Sequence, residues 1–317
     1  MRELRILRHP KAKEMCSEAG DHMKVLLTGA HGQLGQALQS TVPSGIHLIA
    51  TGRNELDLSD AKACRDAVRK HRPDWVLNSG AYTSVDQAEV EPDLAYAVNA
   101  GAPTSFAEVL AEQDGRLLQI STNFVFNGQQ GFPYRPEQAL DPLGIYGSSK
   151  AAGEEAIHRV FERSQQALIL RTSWVIGPVG ENFALTMLRL HRERDQLRVV
   201  SDQVGCPTST LTLAPACWRA ITCAAAGNPL PTVLHWSDAG AASWYDLAMA
   251  VGCIGQRLGL VDDPAEIRPI TAAEYPAQAR RPNYSLLDCT TTRIALELRG
   301  EHWQSALEAL LQQVASN

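Results

Sequence analysis

Five apolar runs, each separated from the next by a longer segment of helical character, dominate the sequence between residues 23 and 176. Their hydrophobicity is continuous rather than alternating, which indicates strands that are buried on both faces. The segments between them predict helices over residues 33–39, 61–71, 92–113 and 148–163. Strands alternating with helices predict an α/β fold with a doubly wound parallel sheet. The runs are KVLLTG, IHLIATG, WVLNSG, RLLQIST and ALILRTSWVIG.

Composition excludes several classes of protein. The chain has 317 residues, and its net charge of -6 offers no basic surface for a nucleic-acid partner. No apolar run is long enough to span a membrane. Seven scattered cysteines without C-x-x-C spacing predict reduced thiols and a cytoplasmic protein. Residues 1–22 mix both charge signs without an apolar core, so we expect a flexible extension rather than a secretory signal.

The first apolar run ends in the pattern T-G-x-x-G-x-x-G over residues 28–35, directly before a predicted helix. Glycines allow a tight turn and a close approach of the backbone, and the helix N-terminus attracts a pyrophosphate. The pattern predicts a dinucleotide site, and the structural alternative is a tight strand–helix turn without a ligand. The predicted cofactor contacts are Gly29, His31, Gly32, Gln33, Leu34 and Gly35.

The residues after the second run indicate which dinucleotide is bound. NAD sites tend to offer an acidic side chain there, and NADP sites an arginine that meets the 2′-phosphate. Arg53 stands at this place and favours NADPH, with NADH as the alternative cofactor. An exposed loop arginine is the structural alternative. Asp57 and Leu58 follow, and we expect both near the adenine ring.

Two further stretches predict a site for proton transfer. Tyr146 and Lys150 are separated by one helical turn, which places an ammonium beside a phenol. An ammonium there favours the phenolate and is expected to lower the pKa of the tyrosine from about 10 toward neutrality. A phenol with such a pKa exchanges protons with a substrate oxygen near pH 7. Thr122 ends another strand at the carboxyl edge of the sheet, where ligands bind in such folds.

With the glycine loop, Ser-Thr and Y-x-x-x-K in this order, the chain resembles the extended short-chain dehydrogenase/reductases. The likeness is most specific to the dTDP-4-dehydrorhamnose reductase family, over residues 23–317. It implies a Rossmann-type NADP-binding domain over residues 23–178, to which about 208–238 return. Residues 179–207 and 239–317 would form a smaller α/β domain for the nucleotide sugar. The stretches that carry the likeness include TGAHGQLGQAL, NSGAYTSVDQAEVEP, STNFVFNG, YGSSKAAGE, DQVGCPT, SWYDLA and RRPNYSLLD.

The resemblance implies that NADPH reduces the C4 ketone of dTDP-4-dehydro-L-rhamnose to give dTDP-L-rhamnose. Tyr146 would donate a proton to the C4 oxygen, and Lys150 would lower the pKa of the phenol and hold the nicotinamide ribose. Thr122 would hydrogen-bond the substrate oxygen. Further cofactor contacts are expected at Ala81, Tyr82, Thr83, Tyr146 and Lys150. The expected substrate contacts are Thr83, Val85, Asn123, Phe124, Trp174, Asn182, Arg280 and Arg281, with Asn182 and the arginines at the diphosphate.

Three departures from the family pattern narrow these expectations. The chain reads STNFVF where the family has STDYVF, so Asn123 lacks a charge and Phe124 lacks a phenol near the sugar. It reads Asn-Ser-Gly rather than Asn-Ala-Ala at residues 78–80. Ala37 replaces a glutamate that holds magnesium between two subunits in some members, so we predict no metal and a monomer or weak homodimer.

Two other functions stay open on sequence grounds. One is a reductase or epimerase of another nucleotide-linked 4-keto sugar, which would use the same catalytic residues. The other is a non-catalytic NADP-binding regulatory subunit. Intact Thr122, Tyr146 and Lys150 argue against the second, because a regulatory protein needs no proton donor.

Overall fold

A computed structural model describes residues 22–162 and 164–316. The extension predicted for residues 1–22 therefore lies, except for residue 22, outside the described residues. The strands are β1 (Met23–Thr28), β2 (Ile46–Thr51), β3 (Trp75–Asn78), β4 (Arg116–Thr122), β5 (Ala167–Thr172), β6 (Val175–Ile176), β7 (Gln196–Val200), β8 (Val204–Gly205), β9 (Thr208–Ser209), β10 (Val233–His235), β11 (Ala242–Ser243) and β12 (Glu266–Ile270).

The helices agree with the predicted segments in the first half of the chain. A π-helical segment, Ala97–Gly101, joins α4 to α5 and interrupts the single helix predicted over 92–113. No helix among residues 22–162 and 164–316 combines the length and the apolar character that a bilayer crossing requires. The helices are α1 (Gln33–Ser40), α2 (Ala61–His71), α3 (Val85–Ala88), α4 (Pro92–Tyr96), α5 (Ala102–Glu112), α6 (Ile145–Val160), α7 (Phe183–Glu193), α8 (Thr210–Ala225), α9 (Trp244–Arg257), α10 (Thr290–Leu296) and α11 (Trp303–Ser316).

The main sheet has six parallel strands in the order β10-β5-β4-β3-β1-β2. Every residue of β3 and β5 is buried, as continuous apolar runs predict. Alternate strand residues pack on opposite sides, with Leu27 facing α1 and α8 and Leu26 facing α2, α5 and α6. The sheet therefore carries helices on both faces, which confirms the predicted doubly wound fold.

A separate apolar core lies in the second half of the chain. There α7, α9 and α11 pack around the parallel pair β7 and β12, with Leu188, Val251 and Leu307 near its centre. Strand β10 instead joins the edge of the main sheet beside β5. The domain limits proposed from the sequence stay a prediction, and these two cores are the physical basis for them.

Parallel strands bring several chain turns to one edge of the sheet. Gly29 directly follows β1 with a φ of +67°, and a Cβ added there would lie 2.7 Å from the Cα of Gly80, which follows β3. A Cβ on Gly35 would lie 2.1 Å from the carbonyl oxygen of Gly29. Because only glycine permits both approaches, these residues set the shape of this edge.

Candidate active site

The carboxyl edge of the main sheet opens into a cavity of about 790 Å³, here called the first cavity. The glycine loop, the end of β4 and the first turns of α6 form its walls. It brings together most of the residues predicted from the sequence. They are Gly29, His31, Gly32, Gln33, Leu34, Gly35, Arg53, Ala81, Thr83, Val85, Thr122, Asn123, Phe124, Tyr146, Lys150, Trp174 and Arg281.

A smaller cavity of about 190 Å³, the side cavity, adjoins the first and shares Arg53 and Ala81 with it. The remaining predicted cofactor residues, Asp57, Leu58 and Tyr82, line this side cavity. Hydrogen bonds from the backbone and hydroxyl of Ser59, together with the charge of Arg53, hold the pKa of Asp57 below its usual value. The side cavity therefore joins a guanidinium and a carboxylate to an apolar wall.

The glycine loop leaves the start of α1 open toward the first cavity. Gly32 is the N-cap of α1, and no described side chain caps the helix there. The first N–H groups of a helix lack internal partners and carry partial positive charge. With the close approach that Gly29 and Gly35 permit, this end of α1 fits the pyrophosphate of a dinucleotide.

The three predicted catalytic residues meet where α6 crosses the end of β4. Thr122 is buried, and its hydroxyl accepts a hydrogen bond of 3.2 Å from the backbone of Phe124. Lys150 donates a hydrogen bond of 2.6 Å from Nζ to the carbonyl of Ile120. The Tyr146 phenol lies beside the Thr122 side chain, and its ring meets the ring of Phe124 edge to face, with centroids 5.6 Å apart. A tyrosine, a threonine and a lysine thus converge on one wall.

Burial is the main influence on the pKa values of Tyr146 and Lys150. Burial raises the pKa of Tyr146, and the side chain of Thr122 opposes this rise. Burial also lowers the pKa of Lys150 to about 8, against the opposing charge of Glu154. The expectation that the pKa of Tyr146 falls toward neutrality is therefore wrong for this structure. A protonated phenol at neutral pH suits an acid that gives up a proton.

Asn99, which the sequence reasoning assigned no role, joins the catalytic helix to the loop after β3. Its Oδ1 accepts a hydrogen bond from Tyr82 N at 2.9 Å, and its Nδ2 donates to Ser149 Oγ at 3.0 Å. It lies in the π-helical segment, a distortion that is frequent at functional sites. The stretch VNA over residues 98–100, which also belongs to the family resemblance, is the signal that could have found it.

A stack of aromatic rings closes another side of the first cavity. Trp174 has a φ of +45° and stacks on Trp244 with ring centroids 3.6 Å apart. Phe183 packs against Trp244 at 4.7 Å. The sequence reasoning missed Trp244, although the SWYDLA stretch contains it. A Cβ on Gly205 would lie 2.6 Å from the Trp174 ring, so this glycine makes room for the stack.

A second cavity of about 870 Å³ borders the first and shares Trp244 and Arg281 with it. Arg280 lines this second cavity and not the first. The guanidinium of Arg281 forms a bidentate ion pair with Asp86, at 2.6 Å between Nη2 and Oδ2 and 3.2 Å between Nη1 and Oδ1. The segment that follows β12, over residues 271–283, supplies much of the wall.

Asn182 is held outside these cavities. Its Oδ1 accepts the backbone N–H of Leu185 as the N-cap of α7. Its Nδ2 donates to Gln33 Oε1 and to the carbonyl of Gly177, both at 2.9 Å. The side chain thus ties α7 to the glycine loop, and its predicted substrate contact stays a prediction.

Among residues 22–162 and 164–316, no group of three or more His, Cys, Asp or Glu side chains is placed to hold a metal ion. The prediction that the protein works without a metal stays a prediction.

Comparison with known proteins places the chain among nucleotide-sugar enzymes. The family model described as the RmlD substrate binding domain matches residues 23–316. A dTDP-4-dehydrorhamnose reductase of Streptomyces griseus is 38% identical, over 89% of this chain and 91% of the relative. The Bacillus subtilis spore coat polysaccharide biosynthesis protein SpsK is 39% identical, over 92% of this chain and 98% of the relative.

Comparison with solved structures indicates the same family. The dTDP-4-dehydrorhamnose reductase of Clostridium acetobutylicum has a TM-score of 0.83 and 32% identity, covering 92% of this chain and 99% of that chain. The Bacillus anthracis enzyme in complex with NADP has a TM-score of 0.82 and 31% identity, with the same coverage. By sequence and by fold, the chain belongs to the dTDP-4-dehydrorhamnose reductase family.

Proposed function

We propose that this protein reduces the C4 ketone of dTDP-4-dehydro-L-rhamnose, with NADPH as the reductant, to give dTDP-L-rhamnose. The observation that carries the proposal is the convergence of Thr122, Tyr146 and Lys150 on one wall of a cavity that also contains the glycine loop. Relatives named for this reaction support the same substrate. A non-catalytic regulatory subunit would not need a proton donor and the two residues that converge with it.

The residues of the cavities fit NADPH. The open start of α1 and the glycines Gly29 and Gly35 suit the pyrophosphate. Arg53 lies where the side cavity meets the first, in position for the 2′-phosphate of NADP. Asp57 and Leu58 would border the adenine. The Bacillus anthracis relative with NADP supports this cofactor.

Bound NADPH supplies the hydride that adds to C4 of the sugar. As the carbonyl electrons move onto the oxygen, Tyr146 gives that oxygen its phenol proton and takes a proton back from solvent afterwards. The Thr122 hydroxyl adjoins the phenol and stabilises the negative charge that forms only in the transition state. Lys150, fixed by the Ile120 carbonyl, holds the nicotinamide ribose.

The sugar would lie between Val85, Phe124 and Trp174 in the first cavity. Its dTDP group would extend into the second cavity, past the shared residues Trp244 and Arg281. Arg280 suits the diphosphate, because guanidinium groups form paired hydrogen bonds with phosphate. Arg281 would add positive charge beside it, since both of its Nη atoms already contact Asp86. A site that divides one substrate between two cavities explains why Arg281 borders both.

Turnover with the purified protein tests the proposal. We expect oxidation of NADPH on addition of dTDP-4-dehydro-L-rhamnose. Tyr146→Phe should lose that turnover and keep NADPH binding, because the phenol acts in the transition state. Tyr96→Phe, at the exposed end of α4, is the matched control. A Tyr146→Phe variant that turns over at the wild-type rate would refute the mechanism.

Asn123 and Phe124 favour a second candidate substrate. Asn123 is buried and donates to the carbonyl of Ser285, while Phe124 offers the sugar a ring without a hydroxyl. Another dTDP-linked 4-keto sugar could fit this changed wall. Turnover of such a sugar, without turnover of dTDP-4-dehydro-L-rhamnose, would replace the proposed substrate and leave the chemistry in place.

The free cysteines among the described residues are consistent with a reducing compartment, and we propose that the enzyme acts in the cytoplasm. The binding partner that we propose is the substrate itself, a small nucleotide sugar.

A further inference from the structure

Three side chains on one face of α6 contact the end of β4. Tyr146, Lys150 and Glu154 are spaced four residues apart, so they form a row along the helix. The first two belong to the proposed catalytic site. The third, Glu154, accepts a hydrogen bond from the hydroxyl of Ser121, the residue before Thr122. Each member of the row thus contacts one of the last three residues of β4, in the order Thr122, Ile120 and Ser121.

Glu154 also forms a buried ion pair with Arg171 of β5. Their side chains are 1% and 4% exposed, and Arg171 Nη2 lies 2.7 Å from Glu154 Oε2. A second contact, from Arg171 Nε to Glu154 Oε1, measures 3.1 Å. Arg171 is paired in register with Ser121 across the two strands. The carboxylate is therefore held from two strands at once.

Arg171 has further contacts beside Glu154. Its Nη1 donates to the carbonyl of Pro136 at 3.0 Å and lies 3.2 Å from His235 Nε2. Burial and the charge of Arg171 lower the pKa of His235 to about 3, so this ring is neutral at physiological pH. The guanidinium also lies over the ring of Phe126, at 5.2 Å from its centroid.

Stability alone is a weak reason for such a pair. Removing two charges from water costs several kcal/mol per ion, and apolar side chains of similar volume often replace a buried pair without loss. The structure offers a second reason, because the next group along the helix is Lys150. Glu154 is the charge that acts on this buried ammonium, and it does so from the same helix face.

We propose that Glu154 is a positioning residue for the reaction, which holds Ser121 and Thr122 against α6 and places a carboxylate one helical turn from Lys150. The proposal rests on the proposed function only through Lys150 and its contact with the cofactor. Burial works against the ammonium, and the carboxylate of Glu154 opposes that effect. The charged or titratable groups around the carboxylate are Lys150 on α6, Arg171 on β5 and the neutral His235 on β10.

The pH dependence of NADPH binding, measured by cofactor fluorescence without any sugar, tests this role. In Glu154→Gln, the pH above which NADPH affinity falls should drop by about one pH unit, since Lys150 loses its stabilising charge. Glu155→Gln removes the same charge from the exposed side of α6 and should leave the curve unchanged. In a Lys150→Met background, Glu154→Gln should have no further effect on the pH dependence.

A double variant keeps the test valid if the single one does not fold. Glu154→Gln leaves Arg171 buried without a partner, whereas Glu154→Gln with Arg171→Met removes both charges. We expect a shift in the same direction, because Glu154 is the partner that acts on Lys150. Folded variants with the wild-type curve, or a shift that persists without Lys150, would overturn the proposal. Shifted curves without turnover of the dTDP sugar would contradict only the proposed substrate.

Discussion

The first and second cavities are built in different ways. The first is formed by strand ends of the main sheet and by a glycine loop that follows β1. Those positions follow from parallel strand topology, which brings all carboxyl ends to one edge. The second is formed by side chains of α7 and α9 and by the segments 127–129 and 272–283, which lie far apart in the chain. Chemistry thus depends on local motifs, and recognition of the substrate on long-range packing.

Among these variants, Thr122→Val should cause the largest loss of kcat. It removes a hydrogen-bond donor from the wall of the first cavity at which the reaction takes place. Loss of one donor that stabilises developing negative charge typically lowers kcat by about a hundredfold to a thousandfold. NADPH affinity should stay near that of the wild type. Steady-state turnover and cofactor titration measure the two effects separately.

Thr122→Ser is the matched control for that variant. It keeps the hydroxyl that accepts the hydrogen bond from Phe124 N and should retain most of the activity. Equal loss of kcat in both variants would mean that the hydroxyl alone does not account for the role of Thr122, since Thr122→Ser keeps that group and loses only the methyl.

Gly35→Ala tests the backbone that shapes the first cavity. The added Cβ would lie 2.1 Å from the carbonyl of Gly29, so the loop has to move away from its position for the pyrophosphate. A displacement costing about 2 to 3 kcal/mol would weaken NADPH binding by about a hundredfold. Isothermal calorimetry measures the NADPH dissociation constant directly.

Gly131→Ala controls for the loss of a glycine as such, because nothing lies within 4 Å of a Cβ at that position. Its NADPH affinity should equal that of the wild type. Wild-type affinity in Gly35→Ala would show that the cofactor does not depend on this turn.

Arg280→Met tests whether the second cavity holds the nucleotide end of the substrate. Arg280 lines that cavity and not the first, so its loss should raise KM for the dTDP sugar by about tenfold and leave kcat and NADPH affinity unchanged. Arg268→Met, on the exposed strand β12, is a control with the same change in charge. A fall in kcat without a change in KM would contradict the division of labour between the cavities.

The two cavities also differ in how far sequence patterns predict them. The strands β1 to β5 and the glycine loop were predicted because each depends on a few consecutive residues. Helix α8 was missed because it is buried on most sides and contains Pro215, so it lacks a one-sided apolar pattern. Trp244 and Arg280 could not be placed together, because they meet only after α7, α9 and the segment 271–283 have packed.

Tyr146 illustrates the same limit inside the catalytic site. Its spacing from Lys150 is local and correctly predicted one helix face. The sign of its pKa shift depends on burial, which the whole fold determines, and burial raises the pKa instead of lowering it. Local patterns therefore gave the identity of the residues, whereas the direction of the shift required the surrounding structure.

The smallest expected effect concerns the ion pair that joins the two cavities. Arg281 holds the pKa of Asp86 below its usual value, so this carboxyl has a lower pKa in the folded than in the unfolded chain. Its contribution to stability is complete above the unfolded pKa and disappears as the pH falls through the folded value. Because the Asp86 side chain is 43% exposed, we expect only about 0.5 kcal/mol from the pair.

Asp86→Asn should therefore lower the free energy of unfolding by about that amount at neutral pH, as measured by urea titration. The difference from the wild type should vanish in acid, where Asp86 is protonated in both states. Glu91→Gln removes a carboxylate that contacts Tyr82 and leaves Asp86, Arg281 and residues 279–281 in place. This control should keep the part of the pH-dependent stability that comes from the ion pair between Asp86 and Arg281. A deficit in Asp86→Asn that persists in acid would mean that packing of this segment, and not charge, joins the second cavity to the first.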